Sequence, residues 1–375
     1  MIYFDHAAAS MLLPQLREKM PSVYAEFSGN PEAAHSGGYA LRKALQNISD
    51  QLFKQLLPSA PPEKRAVFFA ADATMLLNTV GELLAERKSA SWGSALDHAA
   101  ARSVHKRCFR EYGSMQLSEY GVICNLPSAP ENPGLITVNH VQSEIGVKQD
   151  LVRLLPELRS AAPEAVILVD AVQSSVFYAY PSAATVPDLL LISGEKLGAP
   201  GGAALLASGR HCQFFVEGFE RLRKIEHRIS KVCIPQAVLL AEAVKYNADQ
   251  RIAALENIRQ INQFLRNTLS NRTLPNGKKL RFTVPADKAA DHILHLLLPG
   301  YQSGVLVRMF AAENILLSSG SACESESAEP SYMLTALGCS RSDAYSGLRL
   351  SFGKENTLAE AEVFCEKLFQ ILADY

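Results

Sequence analysis

Cys323 stands in Ser318-Ser319-Gly320-Ser321-Ala322-Cys323-Glu324-Ser325, a run of small and polar residues that offers a thiol almost nothing apolar to pack against. A lone cysteine is ordinarily a small buried hydrophobe; set among glycine and serine it is better read as a thiolate nucleophile. Lys196 lies in Ser193-Gly194-Glu195-Lys196-Leu197-Gly198, directly after the apolar run Leu189 to Ile192. A lysine at the C-terminal edge of a parallel strand faces the crevice where such sheets bind ligands, although the segment alone also describes a solvated surface lysine. Asp170 ends the run Ile167 to Val169 in the same way, with Gln173 three residues on. A carboxylate there could pair with a cationic ring nitrogen or cap a helix. Ala73-Thr74 follows Val67 to Phe69, where backbone N–H groups and a hydroxyl could hold a phosphate.

The elements that must position these groups are legible as short β-rich runs alternating with helix-like stretches from about residue 66 to 207. Val67-Phe68-Phe69, Ile136-Thr137-Val138, Val166 to Val169 and Leu189 to Ile192 are apolar on both faces, which predicts a parallel sheet covered by helices. Beyond residue 250 a long helical pattern leads to Asn276-Gly277, strands at Lys279 to Val284 and Ile293 to Leu298, a further run at Gly347 to Phe352, and a final helix opened by the capping box Thr357-x-x-Glu360. The expected organisation is an α/β large domain over 14–250, with 1–13 and 251–375 forming a smaller α+β domain that carries the Cys323 loop. Glu329-Pro330-Ser331-Tyr332 reads as the start of a helix after that loop. A lysine for a Schiff base, an aspartate to keep a pyridine nitrogen protonated and a helix N-terminus for a phosphate together describe a pyridoxal 5'-phosphate site.

Composition narrows the partners. The 375 residues are nearly half apolar, and 37 Lys plus Arg balance 38 Asp plus Glu without a long basic run, so neither nucleic acid nor an anionic membrane is suggested. No window of eighteen apolar residues occurs and Met1 to His6 lacks the pattern of a secretory signal, so the cytoplasm is expected. Seven cysteines without a C-x-x-C pair argue against a disulfide framework and against zinc or iron–sulfur ligation. Cys365 and Cys124, beside apolar neighbours, read as core residues.

The same segments, in order, carry a resemblance. Tyr3 to Ala8, Gly29-Asn30-Pro31, His35-Ser36, Asp97-His98, His140 to Gly146, Val169 to Ser174, Ser193 to Lys196, Ser318 to Cys323, Glu329 to Tyr332 and Leu348 to Gly353 are similar to the motifs of the cysteine desulfurases. These belong to the class V aminotransferases, fold-type I pyridoxal phosphate enzymes. The likeness runs nearly end to end and is weakest from about 210 to 290. It implies that Lys196 binds the cofactor and moves a proton, that Asp170 partners the ring nitrogen, and that Gln173 bonds the phenolic oxygen. Ala73, Thr74 and Ser193 would complete the cofactor site, and His98 would stack on the ring and assist proton transfer, imidazole being the side chain that changes charge near neutral pH. Arg349 would bind the substrate carboxylate, a strand-end salt bridge being the plainer reading of the arginine, and Asn30 would also bind substrate. Cys323 would take sulfur from L-cysteine as a persulfide and pass it to an acceptor protein, in a homodimer.

Some positions depart from that pattern. Glu195 replaces a histidine before the lysine, Ser143 an asparagine, and Met75 a glutamate. The family's Arg-Ser-Gly-Thr segment falls near Lys224 to His227 and is lost, and there is no C-terminal extension of the kind some relatives use to dock a scaffold. A carboxylate beside a phosphate dianion is repelled. Two other functions fit these features: a selenocysteine or cystine lyase that does not need Cys323, and a non-catalytic sulfur-relay partner.

Overall fold

The computed structural model describes residues 1–180, 182–320 and 329–375. Its centre is a seven-stranded sheet built from β1 (Arg65–Ala70), β2 (Ala90–Gly93), β3 (Glu111–Ser114), β4 (Leu135–Asn139), β5 (Val166–Asp170), β6 (Leu189–Ser193) and β7 (Ala203–Ser208), in the spatial order β1-β7-β6-β5-β4-β2-β3. β4, β5 and β6 are buried at every position, as continuous apolar runs require when helices cover both faces. Alternate residues serve opposite cores. Val138, Ile167, Val169 and Leu190 pack on one side, while Leu135, Leu168, Leu189 and Leu191 meet Leu76, Val80 and Phe215 on the other.

The sheet is not wholly parallel. β7 runs antiparallel to both β1 and β6, a reversal the apolar pattern did not reveal. The nine residues between β6 and β7 are too few for a crossover, which takes a dozen or more, so the chain folds straight back. Elsewhere the register aligns strand ends: Asn139 faces Asp170, and Asp170 faces Leu191. The C-terminal ends of β4, β5 and β6 therefore share one edge.

Three helices fix that edge to its surroundings. α1 (Ala73–Ala85) is capped by Asp72, whose Oδ1 accepts from Met75 N–H at 2.8 Å. α2 (Ala99–Cys108) is capped by His98. α3 (Ile234–Leu269) joins two cores: Leu240 and Val244 pack in the first, and Ile258, Ile261 and Leu265 in the second. That second core lies under a three-stranded antiparallel sheet of β8 (Arg281–Phe282), β9 (Ile293–Leu297) and β10 (Gly347–Ser351), in the order β8-β9-β10. α4 (Leu358–Asp374) closes it, opened by the expected capping box of Thr357 and Glu360.

β8 is shorter than the sequence pattern from Lys279 to Val284. Cys365 is buried, but Cys124 is exposed, correcting its reading as core. It sits in the short antiparallel pair Gln116–Leu117 and Ile123–Asn125, where alternation turns Ile123 inward and Cys124 outward. No helix among the described residues is long and apolar enough to cross a membrane.

Candidate active site

A cavity of about 210 Å³ opens at the shared strand edge. Asn139 from the end of β4, Asp170 from β5 and Ser193 from β6 line it, with Gln173, Lys196, His98, Arg349, and Ala73 and Thr74 at the start of α1. Groups scattered over some 280 residues thus meet in one place, because strand ends, the first turns of α1 and α2, and β10 converge there.

Asp170 is 8 % exposed and its Oδ1 accepts from Val172 N–H at 3.0 Å. Burial pushes its carboxyl above the ordinary carboxylate range; the Val172 N–H and His98 oppose this, and Asp97 adds to it. A buried carboxyl in that state is stabilised as the anion by a cationic donor. One oxygen thus closes the turn at Val172, where no helix follows, and the residue lines the cavity. Lys196 Nζ donates to the carbonyl of Ala8, and Gln173 Nε2 donates to the carbonyl of Ala7 at 2.8 Å. Ser10 reaches back from the same N-terminal segment to the Lys196 carbonyl at 2.7 Å. His98 Nδ1 accepts from Ala100 N–H at 3.2 Å, so in the neutral ring the proton resides on Nε2.

Arg349 is 1 % exposed on β10. Its Nη2 donates to Asp5 Oδ1 at 2.7 Å and its Nη1 to the Ser143 carbonyl at 2.9 Å. The salt-bridge reading is therefore realised, and a bidentate grip on a substrate carboxylate requires one of these bonds to be exchanged. Arg349 Nε and the acceptor Asn139 Oδ1 are buried with no hydrogen-bond partner among the described residues. Such orphans at a cavity wall fit a polar ligand. So does the N-terminus of α1, where Asp72 takes Met75 N–H and leaves the preceding N–H groups of Ala73 and Thr74 to an anion. The donor set suits pyridoxal phosphate: an anion cradle at one end, a buried carboxyl for the ring nitrogen, and an amine.

Cys323 lies outside the described residues, but the chain on either side of its segment is bonded to Arg349 of the lining and to Glu144, the chain neighbour of Ser143. Ser318 exchanges backbone hydrogen bonds with Arg349 at 3.2 and 2.8 Å, and its hydroxyl donates to Asp5 at 2.8 Å. Glu144, 1 % exposed, accepts from the Ser331 hydroxyl, and the helix expected after Glu329-Pro330 begins at Tyr332 with Ser331 as its cap. Gly320 lies beside the same carboxylate, 3.5 Å from where its Cβ would be.

Several expectations fall elsewhere. Asn30 is exposed after the helix Pro14–Phe27, bonds Glu32 N–H, and is not in the lining of this cavity. Lys224 pairs with Glu220 at 2.8 Å outside it. Ile229 to Cys233 instead line a neighbouring cavity of about 260 Å³ together with Met75. Glu195 is exposed at the cavity mouth, so the carboxylate has water to turn to. Asn139 and Asp72 escaped the sequence reading. Asn139 carried the same signal as Asp170, a polar residue closing an apolar strand.

A model of the class-V aminotransferases matches residues 2–364. The cysteine desulfurase IscS of Pectobacterium carotovorum is 27% identical over 384 residues, covering 97% of this chain and 91% of its own. The Vibrio cholerae protein of that name is 27% identical over 391 residues, covering 100% and 93%. Among solved structures, a NifS-like protein from Rickettsia africae superposes with TM-score 0.81 at 21% identity, each chain covered completely. The apo structure of a cysteine desulfurase from Thermococcus onnurineus gives 0.77 at 18% identity, covering 100% and 95%.

Proposed function

The chain belongs to the class-V aminotransferase family, whose members depend on pyridoxal phosphate, and we propose that it is a cysteine desulfurase acting on L-cysteine. The observation that carries this is the gathering of Lys196, Asp170, Gln173, His98 and Arg349 around one cavity, with Gly320 and Ser331 against Glu144, the chain neighbour of Ser143 in its lining. Cys323 follows Gly320 by three residues in the sequence. The cofactor, when bound, supplies an electron sink that weakens the carbon–sulfur bond.

The protein's own groups do the rest. Arg349 exchanges a bond to meet the substrate carboxylate, and the Lys196 amine moves a proton at the substrate carbon. His98 presents Nε2 to the cavity. Ala73 and Thr74 would hold the cofactor's phosphate, Ser193 and Gln173 its ring's edge, and Asp170 would keep the ring nitrogen protonated. The Cys323 thiolate attacks the substrate sulfur: its S–S bond forms as the C–S bond breaks. The sulfhydryl hydrogen is made up at carbon, giving alanine and a Cys323 persulfide, with carbon reduced and sulfur oxidised. An acceptor thiol, on a protein serving iron–sulfur assembly or another sulfur-transfer route, then takes the outer sulfur. The two cores correspond in this reading to the large (14–250) and small (1–13, 251–375) domains, and the working form is a cytoplasmic homodimer.

The test is alanine formed from L-cysteine by the cofactor-loaded protein, with Lys196→Ala and Cys323→Ala alongside. Both variants are expected to lose turnover, and only Lys196→Ala to lose the visible absorption of covalently held cofactor. Sulfide release that survives Cys323→Ala would favour a lyase instead.

A further inference from the structure

Behind His98 lies a chain of buried polar groups that the reaction above leaves without a part. His105 Nδ1 is 2.9 Å from Ser91 Oγ, and its Nε2 is 2.7 Å from Thr137 Oγ1. Thr137 in turn donates to Asp97 Oδ2 at 2.6 Å. Asp97 Oδ2 also accepts from Ser94 N–H at 3.0 Å and stands 3.7 Å from His105 Nε2. Ser91, Asp97, His105 and Thr137 are each at most 2 % exposed. A hydroxyl has one proton to give; Thr137 spends it on Asp97, so His105 Nε2 must be the donor to Thr137 and the imidazole's tautomer is fixed. Polar groups so deeply buried are costly unless every bond is made, which makes the arrangement rigid. The space is kept for it by Gly93, where a Cβ would meet Asp97 Oδ2 at 2.4 Å, His105 Nε2 at 2.7 Å and Thr137 Oγ1 at 3.0 Å.

Two members of this chain stand close in sequence to residues of the cavity wall, His98 and Asn139. Asp97 directly precedes His98, and its carbonyl is held by Arg102 at 2.7 Å. Thr137 lies on β4 two residues before Asn139, the neighbour of Asp170. We propose that His105 is a positioning residue: through Thr137 and Asp97 it fixes the turn that presents His98, and locks that turn to the strand edge bearing Asn139 and Asp170. The inference rests on the cavity being the cofactor and cysteine site, and it adds a residue that touches neither.

His105→Phe and Thr137→Val break the chain at two points, Thr137→Ser keeps the hydroxyl, and His105→Gln restores a donor toward Thr137. In the cofactor-loaded enzyme the first two are expected to lower kcat for alanine formation by about tenfold or more, with KM for L-cysteine within about twofold, because a small misplacement near the chemistry costs that much. The pH profile of kcat shifts with them, Thr137→Ser matches wild type, and His105→Gln recovers part of the loss. A second readout needs no activity: in cofactor-free protein the His98 imidazole NMR signal moves in His105→Phe and Thr137→Val, while that of exposed His35 stays in place. Unchanged kcat, an unmoved His98 signal, or a loss that merely tracks cofactor content and unfolding midpoint would each overturn the proposal. Should His105→Phe fail to fold, Thr137→Val against Thr137→Ser decides alone. A wild-type chain that takes up cofactor but makes no alanine contradicts the functional reading only, since the His98 signal still reports on the network.

Discussion

Arg349 and Glu195 are the residues where this chain's own chemistry differs most from a simple reading of its motifs. Arg349 already bonds Asp5 and Ser143, so its planar fork is aimed before substrate arrives. A lysine would keep the charge but not the fork. Arg349→Lys is expected to raise KM for L-cysteine about tenfold, the worth of one bidentate partner, while cofactor binding stays intact; steady-state kinetics with absorbance titration separates the two. Glu195 stands exposed at the rim of a site expected to hold a phosphate dianion. Removing its charge with Glu195→Gln is expected to tighten cofactor binding by about threefold to tenfold at low salt, and less at high salt. Equilibrium titration at two ionic strengths measures this; equal affinities would show that the carboxylate points wholly into water.

Among elements, α3 matters most to the architecture, because one helix belongs to both cores. Ile258 is fully buried in the second core, and Ile258→Ala is expected to cost about 2–4 kcal/mol in denaturant unfolding. A second unfolding transition separating from the first in that variant would show the cores to be independent units. The sequence made β4, β5 and β6 plain, because a strand buried on both faces reads as a near-continuous apolar run. Asp170, ending such a run, and Lys196, just beyond another, both line the cavity at the strand edge. It could not reveal the reversal of β7, which depends on loop length and not on composition. Cys124 was misjudged because a three-residue strand in a two-stranded pair has one wet face, and apolar neighbours do not say which. Asn30 kept its motif but not its place in the cavity, for a short loop carries no periodicity to orient it.

At the scale of the whole molecule, burial of imidazoles links stability to pH. Burial holds His140, His292 and His295 down to about 3 in the folded chain, against 6.5 when free. Between those values the unfolded chain binds protons that the folded chain does not, so stability is full above about pH 6.5 and falls as pH drops toward 3. Each histidine contributes a slope of up to about 1.4 kcal/mol per pH unit. Urea midpoints from pH 7.5 to 4.5 should decline, and replacing His295 by Asn should flatten the decline; a flat wild-type curve would contradict it. The same molecule has to bring a carbon–sulfur bond to one thiol, and that is the central claim. It is tested most directly by counting alanine produced per enzyme from L-cysteine, in cofactor-loaded wild type and in Cys323→Ala. Many alanines per wild-type chain and almost none from the variant are the expected result. Turnover undiminished by loss of the thiol, or no turnover in a wild-type chain that has taken up the cofactor, would contradict the account.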